Sequence, residues 1–472
     1  MSERLFVGVD VGTTHMKAAA VSASGEVKAG ARSRTPTRRD GWGEVHRAAD
    51  IAARADRLVS EVVAAVPGGR LAGLCAASVA EEGWFLDRAG RVLAPSPLWS
   101  ERRQSPSQEA WRERHDLVRA YKRTGVDSDA IRTLMRWLWQ RDHAPRVLDR
   151  AARWLSVSEY LAWRWSGEAA VSATQASRTH LWSIADGRWC EDWMAELGLD
   201  PSLMPPIAAP GSLLGSALPD AVPHVPRDEH VVVAVGGHDH VVGGWAAGVE
   251  VPGQVLLSLG TAESVWTVLP KARPDETALR HGVEFGAAVA AGSRYAMLAQ
   301  AAGQNLAAWA AICGMPVERF IATAEGAEPG AGGVRYDPPP WRQDGRGTLQ
   351  GLAPAPTVPT LARAVLEGWA LGSALAFREL ERLAGRPLDS VRAIGGGSAA
   401  SLWLRIRASM LGRPIDVIDV PEAVATGAAH LARGGALGHV ETSPLRVSAR
   451  FEPEPAWQGV YASWVEAAGA GG

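Results

Sequence analysis

One arrangement occurs twice in this chain. An apolar strand runs into a Gly-Thr pair and leaves as a second apolar strand. The first copy is FVGVDVGTTHMKAAAV, Phe6 to Val21, and the second is VLLSLGTAESVWTVL, Val255 to Leu269. Two copies about half a chain apart predict two related halves. At 472 residues the length suits two or three domains. The spacing predicts helices in both halves, at RAADIAARADRLVSEVVAAV and at PTLARAVLEGWALGSALAFRELERLAG. Strands and helices mix in each half, so each reads as α/β. The boundary is expected near 247, between GGHDHVVGGWAAG and GQVLLSLGT, giving units 1–247 and 248–472. The Pro/Gly-rich PIAAPGSLLGSALPD reads as a connection.

Several function classes are set aside by composition. The net charge is −2, which gives no general attraction to nucleic acid or anionic lipid. The local basic run RSRTPTRRD reads as a solvated loop. Cys75, Cys190 and Cys313 are odd in number and far apart, which speaks against a disulfide framework and a cysteine zinc site. A reducing, cytoplasmic location fits. A strand opens within four residues, so no signal peptide is expected, and no apolar run approaches the ~18 residues of a membrane helix. The 20 Trp stand against 5 Tyr and 6 Phe, and read as packing residues. A few lining a sugar pocket would be the exception.

The chemistry concentrates at four places. Gly12, Thr13 and Thr14, in the turn between two strands, can form a nest of N–H groups and hydroxyls for anionic oxygens, and Lys17 adds a cation. Asp10 cannot face phosphate without repulsion, so a hydrated Mg²⁺ between them is the expected arrangement. A plain β-hairpin is the alternative. Gly260 and Thr261 repeat the loop in the second half, so the two could grip a triphosphate across a cleft. In AIGGGSAASLW, glycines at a strand end precede a helix and allow close approach of a nucleotide. In AVGGHDHVVGG, Asp239 lies at a strand end and can accept the proton of an attacking alcohol. A metal site through His238 and His240 is disfavoured, because alternation along an extended strand sends them to opposite sides. A buried structural acid remains the other alternative for Asp239.

In order and spacing these segments resemble the FGGY carbohydrate kinases over nearly the whole chain. DVGTTHMK resembles the family's first phosphate loop, GGHDH its base segment, LGTAESVW its second phosphate loop, and GGGSAASLW with EAVATGAAHLA its adenosine region. Weaker matches lie between them at DGWGEV, SVAEEGWFLD, PLWSERR, SEYLAWRWSGE and ASRTHLWS. The resemblance implies two ribonuclease-H-like, actin-like ATPase domains flanking a nucleotide cleft. It implies ATP and Mg²⁺ as cofactors, a small sugar or polyol as acceptor, and a possible homodimer. It assigns Asp239 as general base and Asp10 as the metal partner. Gly12, Thr13, Thr14, Lys17, Gly260 and Thr261 would surround the phosphates, and Gly396, Gly397 and Ser398 the adenosine. Glu81, with Glu82 beside it, Trp99 and His240 would face the acceptor. A glutamate at position 81 leans toward a polyol, where ketose kinases often carry histidine.

Departures from the family pattern occur too. Glu101 replaces an Asp in W-x-D-x-R, Arg405 stands where Gln is usual after Trp403, and DPPPWRQDGRG lacks a G-E-R-x-P sequence. The competing class is a nucleotide-gated binding or regulatory protein of the same fold with no small-molecule acceptor.

Overall fold

The computed structural model describes residues 3–260, 262–339, 347–352, 355–442 and 444–469, with side chains as far as residue 466. Thr261 and most of the DPPPWRQDGRG segment lie outside the described residues. Two large sheets organise the chain. The first contains β1 (Glu3–Val11), β2 (His15–Ser22), β3 (Val27–Arg34), β4 (Gly69–Ser78), β5 (Leu213–Ser216) and β6 (Arg227–His238), in the order β5-β6-β4-β1-β2-β3. The second contains β7 (Gln254–Leu259), β8 (Glu263–Leu269), β9 (Glu284–Ala287), β10 (Arg294–Gln300), β11 (Ser390–Ile394), β12 (Ile415–Ile418) and β13 (Val447–Phe451), in the order β9-β10-β8-β7-β11-β12-β13.

The two sheets repeat one plan. In each, the opening strand pairs antiparallel with its hairpin partner and parallel with a later strand. A second parallel strand follows and an antiparallel strand closes that edge. This is the repeat seen in the sequence, now as topology. β1 is buried on both faces from Leu5 to Val11, whereas β3 alternates partly buried and exposed residues as an edge strand does. The expected connection around Leu213 contains the short edge strand β5, paired to β6.

Between the sheets lie α1 (Asp239–Ala246) and α2 (Ala423–Leu437), packed side by side. One apolar cluster joins Phe6 and Ala72 of the first sheet, Leu256 and Trp266 of the second, and Trp245 and Ala428 of these helices. The sequence of α2, AVATGAAHLARGGAL, is nearly free of bulk, which lets it lie directly on β1. A Cβ on Gly8 would stand 2.1 Å from the Ala425 carbonyl oxygen, so only glycine fits there. Among the described residues no single helix is long and apolar enough to cross a membrane.

Candidate active site

The β1–β2 hairpin carries the first loop. Asp10 pairs in register with Lys17, and the Gly12 N–H closes the turn on the His15 carbonyl at 3.2 Å. The loop is braced from β3's far end: the Thr35 hydroxyl donates to the Gly12 carbonyl at 2.6 Å, and the Thr35 N–H donates to Thr14 O at 3.0 Å. Asp10 is 5% exposed, and its Oδ1 is buried without a hydrogen-bond partner. Burial pushes its carboxyl up to about 8, reinforced by the Asp239 charge and opposed by Lys17. A buried, orphaned carboxylate oxygen beside a second carboxylate suits a hard cation that completes its shell with water and phosphate oxygens. Lys17 Nζ pairs with Glu422 at 2.7 Å. Glu422 directly precedes α2 with φ +43, an uncommon conformation for glutamate.

Asp239 opens α1 just after β6 ends at His238. Its Oδ1 accepts the His240 backbone N–H at 2.6 Å and lies 3.2 Å from His238 Nε2. Among the described residues no hydrogen bond reaches its Oδ2. Burial raises its pKa above the ordinary carboxylate value, with His240 opposing, and the Glu81 charge adds to the rise. Asp10 and Glu81 therefore each lie within electrostatic reach of Asp239. The expectation that His238 and His240 diverge is corrected here. The strand ends between them, the chain turns into a helix, and their rings stand 5.5 Å apart. Even so, no group of three or more His, Cys, Asp or Glu among the described residues forms a metal cluster. His240 is exposed and its Nδ1 lies 3.4 Å from the Ser264 hydroxyl.

The residues expected to face the acceptor separate into two kinds. Glu81 has φ +67 and is 7% exposed. Its Oε1 accepts from Arg132 Nη1 and from Arg178 Nε, each at 2.9 Å. Glu82 is fully buried with both oxygens engaged, Oε1 by the Trp99 N–H and Oε2 by His46 Nδ1, each at 2.7 Å. It braces Trp99 from behind and does not face the cleft, which corrects its expected place in the acceptor set. The physical reason is His46: a buried imidazole opposite draws the carboxylate inward. Trp99 is 36% exposed and its indole N–H reaches Thr13.

On the other side, Gly260, Gly396, Gly397 and Trp403 line a cavity of about 720 Å³, together with Gln304 and Ser401. Gly260 is exposed at the tip of the β7–β8 hairpin. Gly395, at φ +95, lets the end of β11 approach the β7–β8 loop, where a Cβ would meet the Leu259 carbonyl at 2.5 Å. Ser398 turns its hydroxyl back to the Gly395 carbonyl at 2.6 Å and does not line the cavity. Ser401, at the start of the following helix, takes that place. Gln304 was not singled out from the sequence, because a lone glutamine on a helix carries no spacing signal. Arg405 sits at the rim, paired with Glu325 at 2.6 Å.

Comparison with known proteins gives one consistent result. Residues 5–245 match the model of the FGGY family of carbohydrate kinases, N-terminal domain, and residues 255–434 match the C-terminal domain of that family. The chain is 26% identical to the xylulose kinase of Bacillus subtilis over 95% of this chain and 92% of that protein. It is 27% identical to the glycerol kinase of Aromatoleum aromaticum, over 95% and 94%. The crystal structure of xylulose kinase from Rhodospirillum rubrum superposes with a TM-score of 0.90 at 25% identity, covering 99% of this chain and 98% of that one.

Proposed function

The chain belongs to the FGGY family of carbohydrate kinases, enzymes of ATP-dependent sugar or polyol phosphorylation, and from that premise we propose that Asp239 is its general base. The observation that carries this is the position of Asp239 at the start of α1, with Oδ1 held by a backbone N–H and Oδ2 left for a hydroxyl proton. Its raised pKa brings it nearer the operating pH, where a base is most effective.

The acceptor lies between Glu81, Trp99 and His240, with its hydroxyl toward Asp239. The adenosine occupies the cavity lined by Gly396, Gly397 and Trp403, and the phosphates reach toward Gly260 on one side and Gly12, Thr13 and Thr14 on the other. Asp10 would hold Mg²⁺, which would supply charge neutralisation to the phosphates. Lys17 leaves Glu422 to add a second positive charge. Loop N–H groups are already oriented, so they stabilise the developing charge without reorganising. Closure of the cleft around the pair excludes water and limits idle ATP hydrolysis. A cytoplasmic location, where ATP is available, fits this reading. A purely regulatory role for the chain gives way to its membership of an enzyme family.

The test is an ADP-release assay with Mg-ATP over a panel of ketoses, polyols and sugar acids that includes xylulose and glycerol. One compound is expected to stimulate turnover. Asp239→Asn is expected to lower kcat by about 10²–10⁴-fold while ATP still binds. An Asp239→Asn variant as fast as the native enzyme would remove Asp239 from this role.

A further inference from the structure

Glu81 belongs to a buried cluster that crosses from one sheet's side of the chain to the other's. Arg132 and Arg178 are 0% and 5% exposed in their side chains, and Glu284, at the start of β9 in the second sheet, is 1% exposed. Both guanidinium groups contact Glu284: Arg132 through Nη2, and Arg178 through Nη1 to Oε2 and Nη2 to Oε1. Arg132 also holds Asp127 at 2.6 Å. Both arginines then share a single oxygen of Glu81, Oε1. No hydrogen bond reaches Glu81 Oε2 among the described residues, and that atom is not among the buried unpartnered ones.

That one-oxygen arrangement is not what a guanidinium and a carboxylate adopt on their own. The fork geometry favours two parallel bonds to both oxygens. Arg178 makes that fork with Glu284 instead of Glu81. Two adjacent buried cations are therefore divided among carboxylates, and Glu284 takes the donors that would otherwise close over Glu81.

We propose that Glu284 is a positioning residue for the acceptor site: it holds Arg132 and Arg178 off Glu81 Oε2 and so leaves that oxygen to accept a hydroxyl of the sugar or polyol. The inference rests on the reading of Glu81 as an acceptor ligand. It makes acceptor recognition depend on a residue of the second sheet, which itself stands behind the arginines. Nucleotide binding does not depend on it.

The experiment compares Glu284→Gln, Glu284→Asp and Glu81→Gln in the full chain. It uses ADP-release titrations of xylulose and of glycerol and a crystal structure of Glu284→Gln. Glu284→Gln is expected to raise the acceptor KM about tenfold or more, as loss of one charge-assisted hydrogen bond does, with the ATP KM within about twofold of native. In its crystal structure Arg178 is expected to span both oxygens of Glu81. Glu284→Asp keeps the charge one methylene farther away, and is expected to shift the acceptor KM in the same direction by less. It carries the kinetic test if the glutamine variant does not fold. Acceptor and ATP KM rising together would overturn the proposal, as would a variant structure with Glu81 Oε2 still unpaired. Should Glu81→Gln leave the acceptor KM unchanged, the assignment of Glu81 itself falls. A rise in Glu81→Gln with none in the Glu284 variants overturns the role of Glu284 alone. If neither compound is turned over, the crystal structure of Glu284→Gln decides the point by itself.

Discussion

The indole N–H of Trp99 donates to the hydroxyl of Thr13 at 2.7 Å, joining residues 86 positions apart. In the proposed reading Trp99 faces the acceptor and Thr13 the phosphates, so one bond ties the two parts of the site together. Trp99→Phe keeps the ring and removes the donor. A neutral hydrogen bond contributes about 1 kcal/mol, so KM for acceptor and for ATP should both rise several-fold. Separate titrations of the two substrates check this.

The raised pKa of Asp239 sets a direction for the pH profile. In the proposed mechanism Asp239 works only when ionised. The acid limb of kcat/KM should therefore fall at a pH above the ordinary aspartate value of 3.8, with activity rising as pH rises through it. A pH–rate profile with Mg-ATP saturating reads the midpoint.

Glu159 offers a stability test away from the reaction. It is buried, its Oε1 accepts the Ser172 N–H at 3.2 Å, and its Oε2 is unpartnered among the described residues. Burial pushes its carboxyl up from 4.5 to about 8. Between these values the folded chain holds a proton that the unfolded chain has released, so folding stability falls as pH rises through that window. Glu159→Gln removes the titration. Its stability relative to native should improve by up to about 1.4 kcal/mol per pH unit across the window, read by urea unfolding at pH 5.5 and 8.

Lys17 is held by Glu422, about a third exposed on each side. Such a pair is worth about 0–1 kcal/mol. Glu422→Ala releases the lysine for phosphate, so the ATP KM should fall by up to about fivefold. Raising the salt concentration should shrink the difference between variant and native.

Gly8→Ala should be among the most damaging single-methyl additions in the chain. The new methyl would overlap the α2 backbone at Ala425 and Ala429, which cannot retreat without opening the central core. Overpacking of this kind costs about 1–3 kcal/mol or more, and thermal unfolding should show a clear fall in Tm.

What was legible in the sequence follows from what is local. The two strand hairpins and the strand end before Asp239 are carried by a few consecutive residues, so their place in the fold could be read from local pattern. Glu82 was misjudged because its partner His46 is 36 positions away and decides which way the carboxylate turns. The Glu81–Arg132–Arg178–Glu284 cluster had no local trace, since its links span 51 to 152 positions. The His238–His240 alternation failed because a strand's period holds only while the strand lasts. The edge strand β5 hid among prolines and glycines, the residues that edges tolerate.

Helix α2 comes late in the chain but rests on β1, its first strand. A fragment ending after residue 247 would leave Phe6, Ala72 and Val242 without the helix that covers them. Such a piece would behave as an adhesive half-protein, prone to association until the remainder is supplied. Translation therefore reaches its last hundred residues before the opening sheet is sealed, and a gene split at that point yields two complementing fragments in place of two modules.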